Sequence, residues 1–289
     1  MRLSQQSIAF LQRRAGMNPN GVADETFFAN DEIFQGKRGD IPEAIRQVEL
    51  LIDRLDTVGD PRWDLVFRRI YPGARVEKVP LMPAVSGSFL PEGVIVHHTA
   101  GPKGRKKIDV EALAHGRPDL SGPLANVGIS RDGSVSWITN GRAHHAGEGS
   151  SKALARVRGD CGVLIPVEPD DGTYGNSYFF GIEIDNSGRV DDPYPQDQVL
   201  AAAQVAALLC YFWKWPPLTR VLGHKEWTRR KVDPSFDMDD FRGRVNLELR
   251  RLREPAPEPE SELAKSLEAR IVELERRLLV LERFQGKMA

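Results

Sequence analysis

Cysteine is nearly missing from this chain of 289 residues, which has only Cys161 and Cys210. Two thiols cannot build a disulfide framework, so the fold must rest on a packed core, and the usage suits folding in a reducing compartment. Cys210 lies in the apolar run Ala207-Leu208-Leu209-Cys210-Tyr211-Phe212 and reads as a core residue. An excess of charge is also missing. The net charge is -1, which gives nucleic acid or an anionic membrane surface little to hold. No apolar run approaches the ~20 residues of a membrane span. The first residues, Met1-Arg2-Leu3-Ser4-Gln5-Gln6, lack the apolar stretch of a signal peptide, so action outside a cell would need another way out. No Gly-Lys-Ser or Gly-Lys-Thr occurs, and the glycines therefore form no phosphate loop.

The chain is long enough to bury a sizeable core in one domain with appendages. Residues 1–60 are expected to be a helical segment. Ser4 can cap a short helix through Ile8 and Leu11 to Gly16, and Ile45, Val48, Leu51, Ile52 and Leu55 recur at helical spacing before Gly59. This segment either packs on the main domain or targets a polymer, and 61–90 connects it onward. From 91 to 253 the pattern alternates. Val94–His98 is a β-branched strand, and Ala125–Ser130 with Val135–Ile138 reads as a hairpin around Asp132-Gly133. Phe179–Asp185 is a strand and Val199–Trp213 an apolar helix. Leu218–Leu222 reads as a further strand and Asp237–Arg253 as a closing helix. The expected fold is α/β, a mixed central sheet flanked by helices. Residues 254–260, Glu254-Pro255-Ala256-Pro257-Glu258-Pro259-Glu260, form a stiff linker. Beyond it, over 261–286, Ala264, Leu267, Ile271, Leu274, Leu278 and Leu281 trace a heptad seam of a coiled-coil helix. The seam favours a homo-oligomer over a lone helix docking back on the domain.

All six histidines fall between His97 and His224. His97 and His98 end the first strand, and such a pair sends one ring to each face of a sheet, so only one of them can serve a single metal. His224 follows Gly223, and Asp233 comes nine residues later in Lys231-Val232-Asp233-Pro234. Two imidazoles and a carboxylate are the three protein ligands of a zinc hydrolase that leaves its fourth position to water. Each is unremarkable alone; the combination is what carries weight. The residues between, Trp227 to Lys231, read as a loop too polar for a core.

These motifs resemble the zinc-dependent N-acetylmuramoyl-L-alanine amidases, which include phage endolysins and the peptidoglycan recognition proteins. The resemblance rests on Val-Ile-Val-His97-His98-Thr-Ala, Gly-His224-Lys-Glu-Trp and Lys231-Val-Asp233-Pro, and spans about residues 90–245. The stretches Gly116–Leu124 and Gly141–Gly147 are closest to endolysins of phages of actinobacterial hosts. The resemblance implies a bound Zn2+ held by His97, His224 and Asp233. It implies catalytic roles for Glu183, in Gly181-Ile182-Glu183, and for Lys231. The tyrosine that some members carry before the Arg-Asp-Gly turn is absent, since Ala125-Asn126-Val127 stands there, and this shifts the burden to Glu183.

His145, Asn126, Arg142, Trp227 and Arg229 are candidates for a groove holding amides and carboxylates of a peptide, while a satisfied loop histidine is the other reading of His144 and His145. The implied substrate is bacterial peptidoglycan, cut between N-acetylmuramic acid and L-alanine. The implied setting is a host cytoplasm until release, then the cell wall. Two other functions stay open at this point: a zinc-free peptidoglycan-binding module, and a virion or assembly protein working through its coiled coil.

Overall fold

The structure, a computed structural model, describes residues 63–159 and 169–253. The helical segment expected over 1–60, the linker at 254–260 and the heptad helix at 261–286 lie outside the described residues, as does Cys161.

The strands are β1 (Gly93–His98), β2 (Gly116–Arg117), β3 (Leu120–Ser121), β4 (Val127–Ile129), β5 (Val135–Trp137), β6 (Glu148–Gly149), β7 (Thr173–Tyr174), β8 (Phe179–Ile184) and β9 (Val221–Gly223). The helices are α1 (Trp63–Ile70), α2 (Val110–His115), α3 (Ser151–Gly159), α4 (Gln196–Trp213), α5 (Pro217–Arg220), α6 (His224–Trp227) and α7 (Met238–Arg253). Five strands form the central sheet in the order β5-β4-β8-β1-β9. Strand β1 runs parallel to β8 and β9, β4 runs parallel to β8, and β5 is antiparallel to β4. The expected mixed sheet flanked by helices is what forms.

Side chains alternate across this sheet. Val94 and Val96 of β1, Phe180, Ile182 and Ile184 of β8, and Val221 of β9 face one core cluster. Helices α4 and α7 cover it. In α7 the buried residues Phe241, Val245, Leu249 and Leu252 recur at helical spacing, and α4 contributes Val205, Leu208, Leu209 and Cys210. Each such side chain contributes about 1.5–3 kcal/mol on burial. Burial also pushes the Cys210 thiol up to about 12, so it is an inert core residue. The other face is built differently. Ile95, Phe179 and Leu222 pack there with Trp227 in a smaller cluster, and polar side chains follow toward the strand ends.

Two expectations are corrected. The stretch 61–90 is not a mere connector: Trp63, Val66, Phe67 and Ile70 of α1 are buried in the main core, and Val76 bridges Val135. Their spacing of three, one and three is itself a helical signature, too short at eight residues to stand out. The expected strand Leu218–Leu222 splits. Pro217 occupies the first turn of α5, where its fixed φ suits a helix, and only Val221–Gly223 pairs with β1. At the C-terminal end the closing helix begins at Met238. Asp237 stands outside it and accepts the N–H groups of Asp239 and Asp240.

Candidate metal centre

Three parallel strands end on the same edge, the edge where open α/β sheets place ligands. His97 is near the end of β1. Val96 of β1 is in register with Gly223 of β9, so the residue after Gly223 arrives beside His97. That residue, His224, opens α6, whose first turn is fixed by Glu226 accepting the Gly223 N–H at 2.8 Å. Glu226 is in turn gripped by the buried guanidinium of Arg242 at 2.9 Å. Asp233 is held to the same helix from the far side of its loop. Lys225 N–H donates to the Asp233 carbonyl at 2.8 Å, and Lys225 Nζ to the Phe236 carbonyl at 2.7 Å.

Three atoms converge as a result. His97 Nδ1 and His224 Nδ1 are 2.9 Å apart. Asp233 Oδ2 lies 3.1 Å from the second and 3.4 Å from the first. The three residues are buried, and their ligating atoms lie within 4.8 Å of one another, so they could hold a metal ion. Burial and the neighbouring His224 push His97 down to about 4, against the pull of Asp233. Burial alone would raise the Asp233 carboxyl, but its contacts with the imidazoles of His224 and His97 hold it well below the usual carboxylate range. Near neutral pH the imidazole of His97 is therefore neutral and the carboxylate ionised, the forms a metal requires.

The donor set fits zinc. His224 Nε2 lies 3.2 Å from the Ala146 carbonyl, which can only accept, so the ring hydrogen is on Nε2 and the Nδ1 lone pair faces inward. With His97 presenting Nδ1 in the same way, two nitrogen lone pairs and a carboxylate oxygen face one another with no hydrogen donor among them. A divalent cation satisfies all three, and two nitrogens with one oxygen suit zinc.

Glu183 is the cross-strand neighbour of His97 and projects from the same face of the sheet. Its Oε2 is buried with no hydrogen-bond partner among the described residues. Burial, then the charge of Asp233, raises its carboxyl to about 8, while Lys231 and Arg117 pull the other way. Lys231 is exposed, and its charge reaches both Glu183 and His97.

His98 turns to the opposite face, as a paired histidine must. Its Nδ1 lies 2.8 Å from the Tyr194 hydroxyl, which accepts the Ser235 N–H at 3.3 Å. Tyr194 thereby ties the strand to the Asp233 loop, and no sequence motif marks it.

The expected groove residues separate. Trp227 is fully buried against Phe179 and Ile95, so it is core and not groove; the polar residues after it hid the inward turn of α6. Asn126 is buried too, its amide donating to the carbonyls of Thr139 and Gly141 and its oxygen accepting the Gly181 N–H. It splices strands and offers no free donor to a ligand. Arg142 donates to the Ser86 carbonyl, clasping the segment before β1. Arg229 is exposed on the loop beyond α6. His145 stands behind His97, its Nδ1 2.9 Å from His97 Nε2. His144 bonds the Ser121 carbonyl at 2.9 Å, the satisfied loop histidine of the alternative reading.

The profile of the Amidase_2 family, described as N-acetylmuramoyl-L-alanine amidase, matches residues 88–236. No curated protein matches the chain. Among solved structures it is similar to an AmpD derivative, at 23% identity over 60% of this chain and 94% of that one, with a TM-score of 0.41. It is similar to the N-acetylmuramoyl-L-alanine amidase LysC from Clostridium intestinale, at 15% identity over 60% and 97%, with a TM-score of 0.38. A third is the hydrolase AmiA of Staphylococcus aureus in complex with its ligand, at 14% identity over 64% and 87%, with a TM-score of 0.44.

Proposed function

This chain belongs to the N-acetylmuramoyl-L-alanine amidase family, and from that premise we propose that it is a zinc-dependent peptidoglycan amidase. The bond cut is the amide between the lactyl group of N-acetylmuramic acid and L-alanine. The observation that carries this reading is the convergence of His97 Nδ1, His224 Nδ1 and Asp233 Oδ2 beside Glu183, whose buried Oε2 has no hydrogen-bond partner among the described residues. Zinc bound to these three supplies Lewis acidity, which acidifies water and polarises an amide carbonyl.

The chain's own residues do the rest. Burial raises the Glu183 carboxyl to about 8 when no cation is beside it, and a divalent charge on the three ligands would bring its ionised form within reach of neutral pH. Glu183 takes a proton from the attacking water at Oε2 and hands it to the departing alanine nitrogen. Lys231, at the rim, offsets negative charge on the amide oxygen, an effect of about 3 kcal/mol for a well-placed donor. Arg229, exposed on the same loop, would meet a carboxylate of the peptide stem.

Product analysis on purified peptidoglycan tests the assignment. New free amino groups on alanine, without new reducing sugar ends, are the expected result; reducing ends would make the enzyme a glycosidase. EDTA should abolish the reaction and zinc restore it. The endolysin-like setting, with release from a host cytoplasm to the wall, is part of the same proposal. So is self-association through the heptad seam at 264–281, for which sedimentation of the full chain against 1–253 should show a loss of mass beyond the deleted residues.

A further inference from the structure

We infer that His145 is a positioning residue, which fixes the ring of His97 with its Nδ1 lone pair turned toward His224 and Asp233. The inference rests on the metal-binding reading above and replaces the groove role expected for this histidine. It starts from the Phe179 carbonyl, which can only accept a hydrogen bond. His145 Nε2 lies 2.9 Å from it, so the hydrogen of His145 is on Nε2. A neutral imidazole with its hydrogen there keeps a lone pair on Nδ1. Facing that lone pair at 2.9 Å is His97 Nε2, which must donate. The single hydrogen of His97 is thereby drawn to the back of its ring, and Nδ1 is left bare on the metal side. A histidine with its hydrogen on Nδ1 could not ligate there, so the relay selects the competent tautomer.

Two further features are built around this contact. A Cβ on Gly181 would lie 2.5 Å from His145 Cγ. Gly181 sits two residues before Glu183 on the same face of β8, so the strand forgoes a side chain there to seat the imidazole. The second feature is Asn176, whose Oδ1 accepts the N–H groups of His145 at 3.1 Å, Ala146 at 2.8 Å and Gly147 at 3.1 Å. The same short segment offers the Ala146 carbonyl to His224 Nε2 at 3.2 Å. One stretch of chain, pinned by one amide, thus backs both imidazoles: a side chain behind His97 and a main-chain carbonyl behind His224. Both nitrogens of His145 are engaged, so neither is free for a ligand.

The test is zinc affinity of the full chain, read by competition with a chromophoric chelator. His145→Leu should bind zinc about 10- to 100-fold more weakly than wild type. His145→Asn places Oδ1 where Nδ1 stood and should recover most of that loss. Equal affinity in wild type and His145→Leu overturns the inference. A wild type that holds no zinc overturns the metal-binding reading itself, a separate outcome. If both variants unfold, nitrogen-15 correlation spectra of the wild-type imidazoles decide. A hydrogen on His145 Nε2 supports the relay, and one on Nδ1 overturns it.

Discussion

Consecutive residues of β1 belong to two different interiors. Val94 and Val96 face α4 and α7, where the sheet's contribution is apolar along its length. Ile95 and His97 face the other way, where an apolar patch of Ile95, Phe179, Leu222 and Trp227 gives way, past Gly181, to His97 and Glu183 near the strand ends. The first interior is closed by hydrophobic burial, which is non-directional and strong in sum. The second holds titratable groups in fixed geometry, at the cost of a carboxyl oxygen with no partner among the described residues and of mutually facing acceptors. Stability and chemistry therefore share strands but not faces, and substitutions at adjacent positions should separate them.

The sharpest break is His97→Ala or His224→Ala. Either should reduce amide cleavage to background and abolish zinc retention, because two ligands hold the metal poorly. The EDTA-treated variants should still unfold cooperatively, at a cost of about 1–3 kcal/mol for the buried partner each leaves unpaired. Glu183→Gln should keep the zinc and lose kcat by about 10²- to 10⁴-fold, the usual worth of a proton-transfer group. Zinc lost along with the rate would make Glu183 a ligand or a prop.

The same variant exposes a pH dependence. Glu183 has a folded value of about 8, against roughly 4.3 when unfolded. Between these values the native state holds a proton that the unfolded chain has released, so its contribution is full at low pH and is lost as pH rises toward 8. The EDTA-treated wild type should thus lose roughly 3–5 kcal/mol relative to Glu183→Gln across that window. A flat difference in urea midpoints would remove the buried acid from the account.

On the opposite face of the same strand, Ile182→Ala should cost about 2–5 kcal/mol. It should leave kcat per folded molecule unchanged, and a matching fall in kcat would mean the two faces are coupled. The smallest effect is expected for Trp227→Phe, about 1 kcal/mol of stability with KM unaltered. A raised KM would return Trp227 to the groove.

Most of the architecture was legible because strands and helices are written in local periods. The β-branched run at 94–98, the Asp-Gly turn and the apolar stretch at 199–213 each sit where regular elements form. Alternation also foretold that His97 and His98 would part. What escaped was short or defined by partners. The eight residues of α1 are too few for a periodic signal, and the proline pair before Leu218 hid a helical turn in an expected strand. Asn126, Trp227 and His145 suit a groove by residue type, yet their roles are set by what stands opposite them. Tyr194 and Asn176 carry no local signal, since one hydroxyl and one amide acquire meaning only from the backbone groups they meet.

The linear chain by itself settled which groups were available, since side-chain chemistry and strand alternation are local properties. Only the folded backbone decided which atoms converge: the register of β1 with β8 and β9 sets Glu183 and His224 beside His97, and a main-chain carbonyl dictates which nitrogen of His224 looks inward. Pairing between segments 86 and 127 residues apart depends on long-range packing, and no local pattern of residues encodes it.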